Sequence, residues 1–291
     1  MIALRAPAKI NLCLRVLGRR PDGYHELESV FQMVGLYDEV TIRPRRQGIT
    51  LGVEGADLPS ERGNLAYEAA LALARAADCS RGGAIQLVKR IPLGAGLGGG
   101  SSDAATVLIG LNRLWGLRWS RQRLAQLGST LGSDVPFFFF GPTAWVTGRG
   151  ERVTPVPALG PSASGPVPCW AVLVNPGFSV STKWAFETLD KTVQLTNEKP
   201  IYRMGRFSPA PPAAVWSIPN DLERVSAARY PVIEEIKTQL LKAGAGVARM
   251  SGSGPTVFGT FATRAEAAKA CDEVSPPWRR WVVRVLRRAP W

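Results

Sequence analysis

Residues 92–102 read Pro-Leu-Gly-Ala-Gly-Leu-Gly-Gly-Gly-Ser-Ser, with five glycines in seven positions. Glycine offers no side chain to a core and loses more conformational freedom on folding than any other residue. Such a run is therefore kept where backbone must come close to something. Before it, residues 84–91 (AIQLVKRI) have strand character. After it, Ala104, Val107, Leu108, Leu111 and Leu114 recur at three- and four-residue spacing, which predicts a helix over 101–115 with one buried face. A strand, a bare loop and a helix in that order expose free N–H groups and a positive dipole end, and these attract anions. Pro92, Leu93, Gly94, Ala95, Gly96, Leu97, Gly98, Gly99, Gly100, Ser101 and Ser102 are read as a phosphate cradle. The plainer reading is a flexible turn.

The type of cradle is narrowed by what surrounds it. Gly94, Gly96 and Gly99 fit G-x-G-x-x-G, but no Asp or Glu stands between Asp103 and Asp134. A dinucleotide-binding oxidoreductase, which wants an acid ~20 positions on, is disfavoured. The loop ends Gly-Ser-Ser where a Walker loop has Lys-Ser/Thr, and neither H-R-D nor D-F-G occurs.

Composition removes other classes. With 45% hydrophobic and 20% charged residues, the 291-residue chain is not disordered, and its length suits one large or two medium domains. Cys13, Cys79, Cys169 and Cys271 form no C-x-x-C pair, so they read as reduced thiols of a cytoplasmic protein. His25 is the single histidine, which excludes metal sites built on several His ligands. No apolar run approaches the ~18 residues of a membrane span. Arg5, Lys9, Arg15, Arg19 and Arg20, unaccompanied by an acid, leave a transit peptide as the lesser reading of a stretch that alternates like a strand. The net charge of +13 fits a solvated arginine-rich surface, a nucleic-acid partner or a phosphorylated small substrate.

Strands are expected at 8–17 and 38–43, joined through a turn at Pro21-Asp22-Gly23-Tyr24-His25-Glu26. Helices are expected at 64–77 and 120–131, and a strand at 137–147. The Pro/Gly/Ser-rich stretch 155–168 reads as a linker and divides the chain into domains 1–158 and 159–291. The second half predicts strand 170–174, helix 181–189, a polar insertion at 192–219, helix 231–242, strands 246–250 and 256–261, helix 263–273 and strand 281–286. The pattern suits an α+β fold.

Single residues stay ambiguous on these grounds. Asp134, before Val135 and Pro136, serves as a general base or as a turn cap. Lys9, in the apolar strand AKINLCL, either faces solvent or has a buried partner. Asn11 shares its strand face. Tyr24 and His25 occupy the turn, and Phe186 reads equally as core.

Together with Asp103-Ala104-Ala105, the loop resembles the P-x-G-x-G-L-G-G-G-S-S-D-A-A signature of the GHMP kinases, which phosphorylate small alcohols. Residues 6–12 (APAKINL), 132–138 (GSDVPFF) and 251–256 (SGSGPT) resemble further segments of that family, in order. Pro21-Asp22-Gly23-Tyr24-His25 is similar to the branch that acts on a cytidine diphosphate ester of methylerythritol. The resemblance implies a two-domain architecture: a ribosomal-protein-S5-like, ATP-binding domain at 1–158 and a ferredoxin-like substrate domain at 159–291. It implies transfer of phosphate from ATP to the 2-hydroxyl of the methylerythritol unit, a step of the non-mevalonate route to isoprenoid precursors. Asp134 and Lys9 become catalytic. Asn11, Tyr24, His25, Thr182 and Phe186 become substrate contacts, with Tyr24 and Phe186 stacking on cytosine. Asn64 and Lys89 fall near the adenine and ribose of ATP. Mg2+ is implied without a ligand that can be named. Asn220-Asp221-Leu222-Glu223 matches a family motif and also reads as a helix capping box.

The expected partners are ATP and a small molecule, with no nucleic acid or membrane, and the expected state is a monomer or weak homodimer. Two alternatives stand: another small-alcohol kinase of the family, of mevalonate or homoserine type, and a non-catalytic S5-like RNA-binding protein. Departures from the family pattern are Gly141-Pro142-Thr143-Ala144 and the Trp278-Arg279-Arg280-Trp281 tail.

Overall fold

The computed structural model describes residues 1–156, 168–196, 214–275 and 277–291. Its backbone is two sheets with helices packed on them. β1 (Ile2–Arg19) and β2 (His25–Arg45) form a long antiparallel ribbon. On its other edge, β2 pairs β4 (Gly82–Val88) through residues 39–45 and β5 (Thr143–Gly148) through residues 27–32. β3 (Ile49–Glu54) adds the one parallel pair, on β4, and β6 (Arg152–Pro155) closes the far edge on β5. Helices α1 (Leu65–Ala76), α2 (Gly99–Leu114), α3 (Arg121–Ser129) and α4 (Phe137–Phe140) belong to this half.

The second half is an antiparallel sheet in the order β10-β7-β9-β8. β7 is Trp170–Asn175, β8 Ala248–Met250, β9 Val257–Phe261 and β10 Arg279–Arg284. Its helices are α5 (Thr182–Thr196), α6 (Asp221–Arg229), α7 (Val232–Lys242) and α8 (Arg264–Glu273).

Three apolar clusters follow from this layering. One joins α1–α4 to their sheet, with Phe137, Phe138 and Phe139 fully inside. Another joins the C-terminal helices to theirs. The third lies between the sheets, where Ala8, Ile10 and Leu12 of β1 meet Leu173 and Phe258. β1 is therefore buried on both faces. Register shifts flank its 8–11 stretch, which holds Lys9 and Asn11 on the face away from the inter-sheet core.

Several sequence expectations shift. Residues 137–140 are a helical turn, not strand: four phenylalanines have high β propensity, but Pro136 starts the turn at φ −56° and burial on all sides outweighs propensity. β3, β6 and the first half of β2 were not expected. The predicted linker lies mostly outside the described residues, as does most of the 192–219 insertion. The Trp278–Trp281 tail is not an appendage, since Arg279–Arg284 is the edge strand β10.

Candidate active site

A cleft of about 1690 Å³ opens where β1, the glycine loop, the start of α2 and the start of α5 converge. That exceeds the ~300–1,000 Å³ of a single small-ligand site, so it has room for two ligands. All the sequence-predicted residues except Ser102 line it.

The loop is tied down on its inner side. Ala95 and Leu97 insert into the inter-sheet core, and the Leu97 carbonyl accepts the Lys9 N–H at 2.9 Å. Gly96 and Gly98 have φ of +76° and +67°, values that L-residues avoid. A Cβ on Gly96 would strike the Ser251 carbonyl, and one on Gly98 would come within 2.9 Å of Lys9 Cγ. Close approach explains both glycines.

Gly98 is also the N-cap of α2, and no side chain caps it; the first turn carries no acid. By contrast α1, α3, α6 and α8 are capped by Asn64, Ser120, Asn220 and Thr263. The 16-residue helix α2 thus points uncapped N–H groups and its positive end into the cleft.

Facing that end, Lys9 Nζ lies 3.4 Å from Asp134 Oδ2, with side-chain exposures of 5% and 31%. Lys9 resolves its sequence ambiguity by having buried partners: it donates to Asn11 Oδ1 at 2.7 Å and sits 4.4 Å from the Phe31 ring centroid. Asn11 Nδ2 donates to Ser29 Oγ at 2.9 Å, and the Asn11 N–H donates to Ser251 Oγ at 3.1 Å. Ser251 Oγ in turn donates to the Gly96 carbonyl at 2.9 Å. This network fixes lysine, loop and the 251–256 motif relative to one another.

Lys89 is held beneath the start of α2 by Asp38 and by Asp103, the latter at 2.6 Å. Asp38 also accepts the Ile91 N–H at 2.8 Å. Burial pushes the Asp103 carboxyl up to about 7; Lys89 pulls it down and Asp38 pushes it further up. Asn64 combines two roles, capping α1 through the Ala66 N–H at 3.0 Å while lining the cleft.

At the other end the cleft is aromatic. Tyr24 is 53% exposed, and the Arg149 guanidinium lies 4.7 Å from its ring centroid. The stacking partner of Phe186 is His25, with centroids 4.6 Å apart and planes at 18°. His25 Nε2 is 2.9 Å from Asp190 Oδ1. Thr182 Oγ1 meets Ser253 Oγ at 3.0 Å.

Asn220 caps α6 through the Leu222 N–H, but Glu223 does not complete a capping box. It accepts the Met250 N–H at 2.6 Å and pairs with Lys237 at 2.5 Å, because the neighbouring strand offers a buried donor. Sequence reasoning missed Ser29, Asp38, Asp103, Arg149, Asp190, Ser251 and Ser253 as participants. Only Asp103, Ser251 and Ser253 carried a signal, inside quoted glycine-rich motifs.

Comparison with known proteins places the chain in a family. The family model for the GHMP kinases N terminal domain matches residues 64–142, and that for GHMP kinases C terminal matches 205–279. The 4-diphosphocytidyl-2-C-methyl-D-erythritol kinase of Syntrophotalea carbinolica is 46% identical over 97% of this chain and 98% of its own. That of Geobacter metallireducens is 46% identical over 98% and 99%. A crystal structure of 4-(cytidine 5'-diphospho)-2C-methyl-D-erythritol kinase superposes with a TM-score of 0.77 at 33% identity, covering 97% of this chain and 98% of that one. A homoserine kinase from Cytophaga hutchinsonii, 20% identical with a TM-score of 0.72 over 99% and 95% of the two chains, shares the fold. The chain belongs to the GHMP kinases and, within them, to the 4-diphosphocytidyl-2-C-methyl-D-erythritol kinase family.

Proposed function

We propose that the protein transfers the γ-phosphoryl group of ATP to the 2-hydroxyl of 4-diphosphocytidyl-2-C-methyl-D-erythritol, a step of the non-mevalonate route to isoprenoid precursors. The observation that carries this reading is the Lys9–Asp134 pair set opposite the uncapped N-terminus of α2, with an aromatic end to the same cleft.

The loop and the first turn of α2 hold the triphosphate through backbone N–H groups, with Asn64 and Lys89 toward the nucleoside. Asp134 accepts or orients the proton of the attacking hydroxyl. Lys9, already bonded to Asn11, lies beside it and stabilises negative charge developing on the transferred group. Asn11 and Thr182 position the acceptor, and Tyr24, His25 and Phe186 receive its cytosine.

Among the described residues no group of three or more His, Cys, Asp and Glu could form a resident metal cage. Mg2+ carried by ATP needs only one or two protein oxygens. The Ser101 hydroxyl at the cleft wall fits that demand. When bound, the ion neutralises charge on the phosphates.

The division at 158/159 is kept as a proposal, supported by the two sheets on either side of it. Among the described residues no helix is long and apolar enough to cross a membrane. No disulfide joins Cys13, Cys79, Cys169 or Cys271, which suits a reducing cytoplasm. The expected state stays a monomer or weak homodimer, with ATP and the cytidine ester as its small-molecule partners and no nucleic acid.

The test is ADP release measured in parallel with the cytidine diphosphate ester, mevalonate and homoserine. The proposal expects turnover with the first alone; equal turnover with homoserine or mevalonate would refute the assigned acceptor.

A further inference from the structure

Arg149 stands at the tip of the β5–β6 hairpin, between Gly148 and Gly150, whose φ values are +73° and +116°. Its backbone N–H donates to Glu151 Oε2 at 2.6 Å, which fixes the turn. The side chain lines the cleft and reaches the Tyr24 ring. The other side of the same tip rests on the catalytic segment: a Cβ on Gly150 would lie 3.5 Å from Asp134 Oδ1. Arg149 is thus placed between the aromatic end and the transfer end.

Its charge acts on Asp22 through space but, among the described residues, is met by no ion pair. Nearby carboxylates are committed elsewhere: Asp22 and Glu26 to Arg20, Asp190 to His25, Asp134 to Lys9. Glu151 takes the Arg149 backbone amide and lies 3.7 Å from Arg152. Among the described residues no carboxylate forms an ion pair with Arg149. A cation kept in a cleft without a salt-bridged carboxylate is suited to an anionic ligand.

An acceptor built as base–ribose–diphosphate–alcohol, with its base at Tyr24 and its alcohol at Asp134, carries its two phosphates between those points. We propose that Arg149 grips this diphosphate and so sets the specificity for a nucleoside diphosphate ester over a free alcohol. The assignment rests on the acceptor reading above. The guanidinium can stack on Tyr24 with its face while its in-plane N–H fork meets phosphate oxygens. The competing role is a cation–π prop for Tyr24 alone.

Competition against the cytidine ester by CDP and by cytidine separates the two, in the wild type, Arg149→Met and Arg149→Lys. Arg149→Met should weaken CDP by about 10–100-fold, the scale of charge-assisted hydrogen bonds, while cytidine changes little. Arg149→Lys should recover part of the loss. CDP and cytidine weakened by the same factor would reduce Arg149 to a prop and overturn the proposal, as would unchanged CDP affinity. Wild-type protein that binds neither CDP nor cytidine would remove the acceptor reading and this assignment with it, whereas turnover of the ester with an unchanged CDP-to-cytidine ratio in Arg149→Met removes Arg149 alone.

Discussion

The ammonium of Lys9 lies 3.4 Å from the carboxylate of Asp134, on a strand whose neighbouring side chains Ala8 and Ile10 are wholly buried. Replacing Lys9 with methionine keeps the volume and removes the charge. It leaves Asn11 Oδ1 with only the longer bond from Ser251 Oγ, at 3.4 Å, and Asp134 without its cation. We expect kcat to fall by ~10²–10³, the scale of losing one fixed electrostatic stabiliser, with little change in KM for ATP. Steady-state kinetics of Lys9→Met check this; a change confined to KM for ATP would place Lys9 in nucleotide binding instead.

Gly98 couples the loop to that lysine. At φ +67°, with Lys9 Cγ 2.9 Å and Cε 3.1 Å from the position of a Cβ, an alanine is both strained and crowded. The left-handed conformation costs an L-residue about 1–2 kcal/mol. Gly98→Ala should lower Tm by a few degrees and lower kcat more than stability alone explains, because the displaced group is the lysine proposed to stabilise the transferred phosphoryl group. Thermal melts and kinetics on the same preparation test it; a lower Tm with normal kcat would uncouple loop and lysine.

Phe186 stacks on His25 at the acceptor end of the cleft. Phe186→Ala should raise KM for the cytidine ester by about tenfold, the order of an aromatic pair worth ~0.5–1.5 kcal/mol plus lost contact area. KM for ATP should stay constant. An equal rise for both substrates would show collapse of the cleft rather than loss of a stacking wall.

Asp103 gives a pH dependence with a definite sign. Its folded pKa is raised to about 7, above the unfolded carboxylate, so between the two values the native state holds more protons than the unfolded state. This group therefore costs stability as pH rises through that window. Asp103→Asn, which mimics the protonated form, should gain Tm relative to wild type on going from pH 5 to pH 8. A difference that shrinks over that range would show that the ionised form is the one the fold prefers.

The glycine loop between a strand and an uncapped helix was legible because its signal is local: a strand, a glycine run and a helix of clear period. Lys9 was legible as an anomaly, a charge inside an apolar strand, yet only the fold supplied Asp134 and Asn11 as its company. The first half of β2 escaped because residues 29–34 are buried on both faces, which breaks the alternation begun at 25–28. The 137–140 turn was misread because residue preference and packing disagree there. Arg149, flanked by turn glycines, has no period at all, and its meaning comes from Tyr24 and Asp134 on other segments.

The most direct test of the account is Asp134→Asn, assayed for phosphoryl transfer and for ATP binding together. Loss of a positioned proton acceptor should reduce transfer to the cytidine ester by ~10²–10⁴ while the ATP dissociation constant stays within a few-fold of wild type. Transfer at the wild-type rate, with ATP binding equally intact, would contradict the assignment of Asp134 and the reading of the cleft built around it.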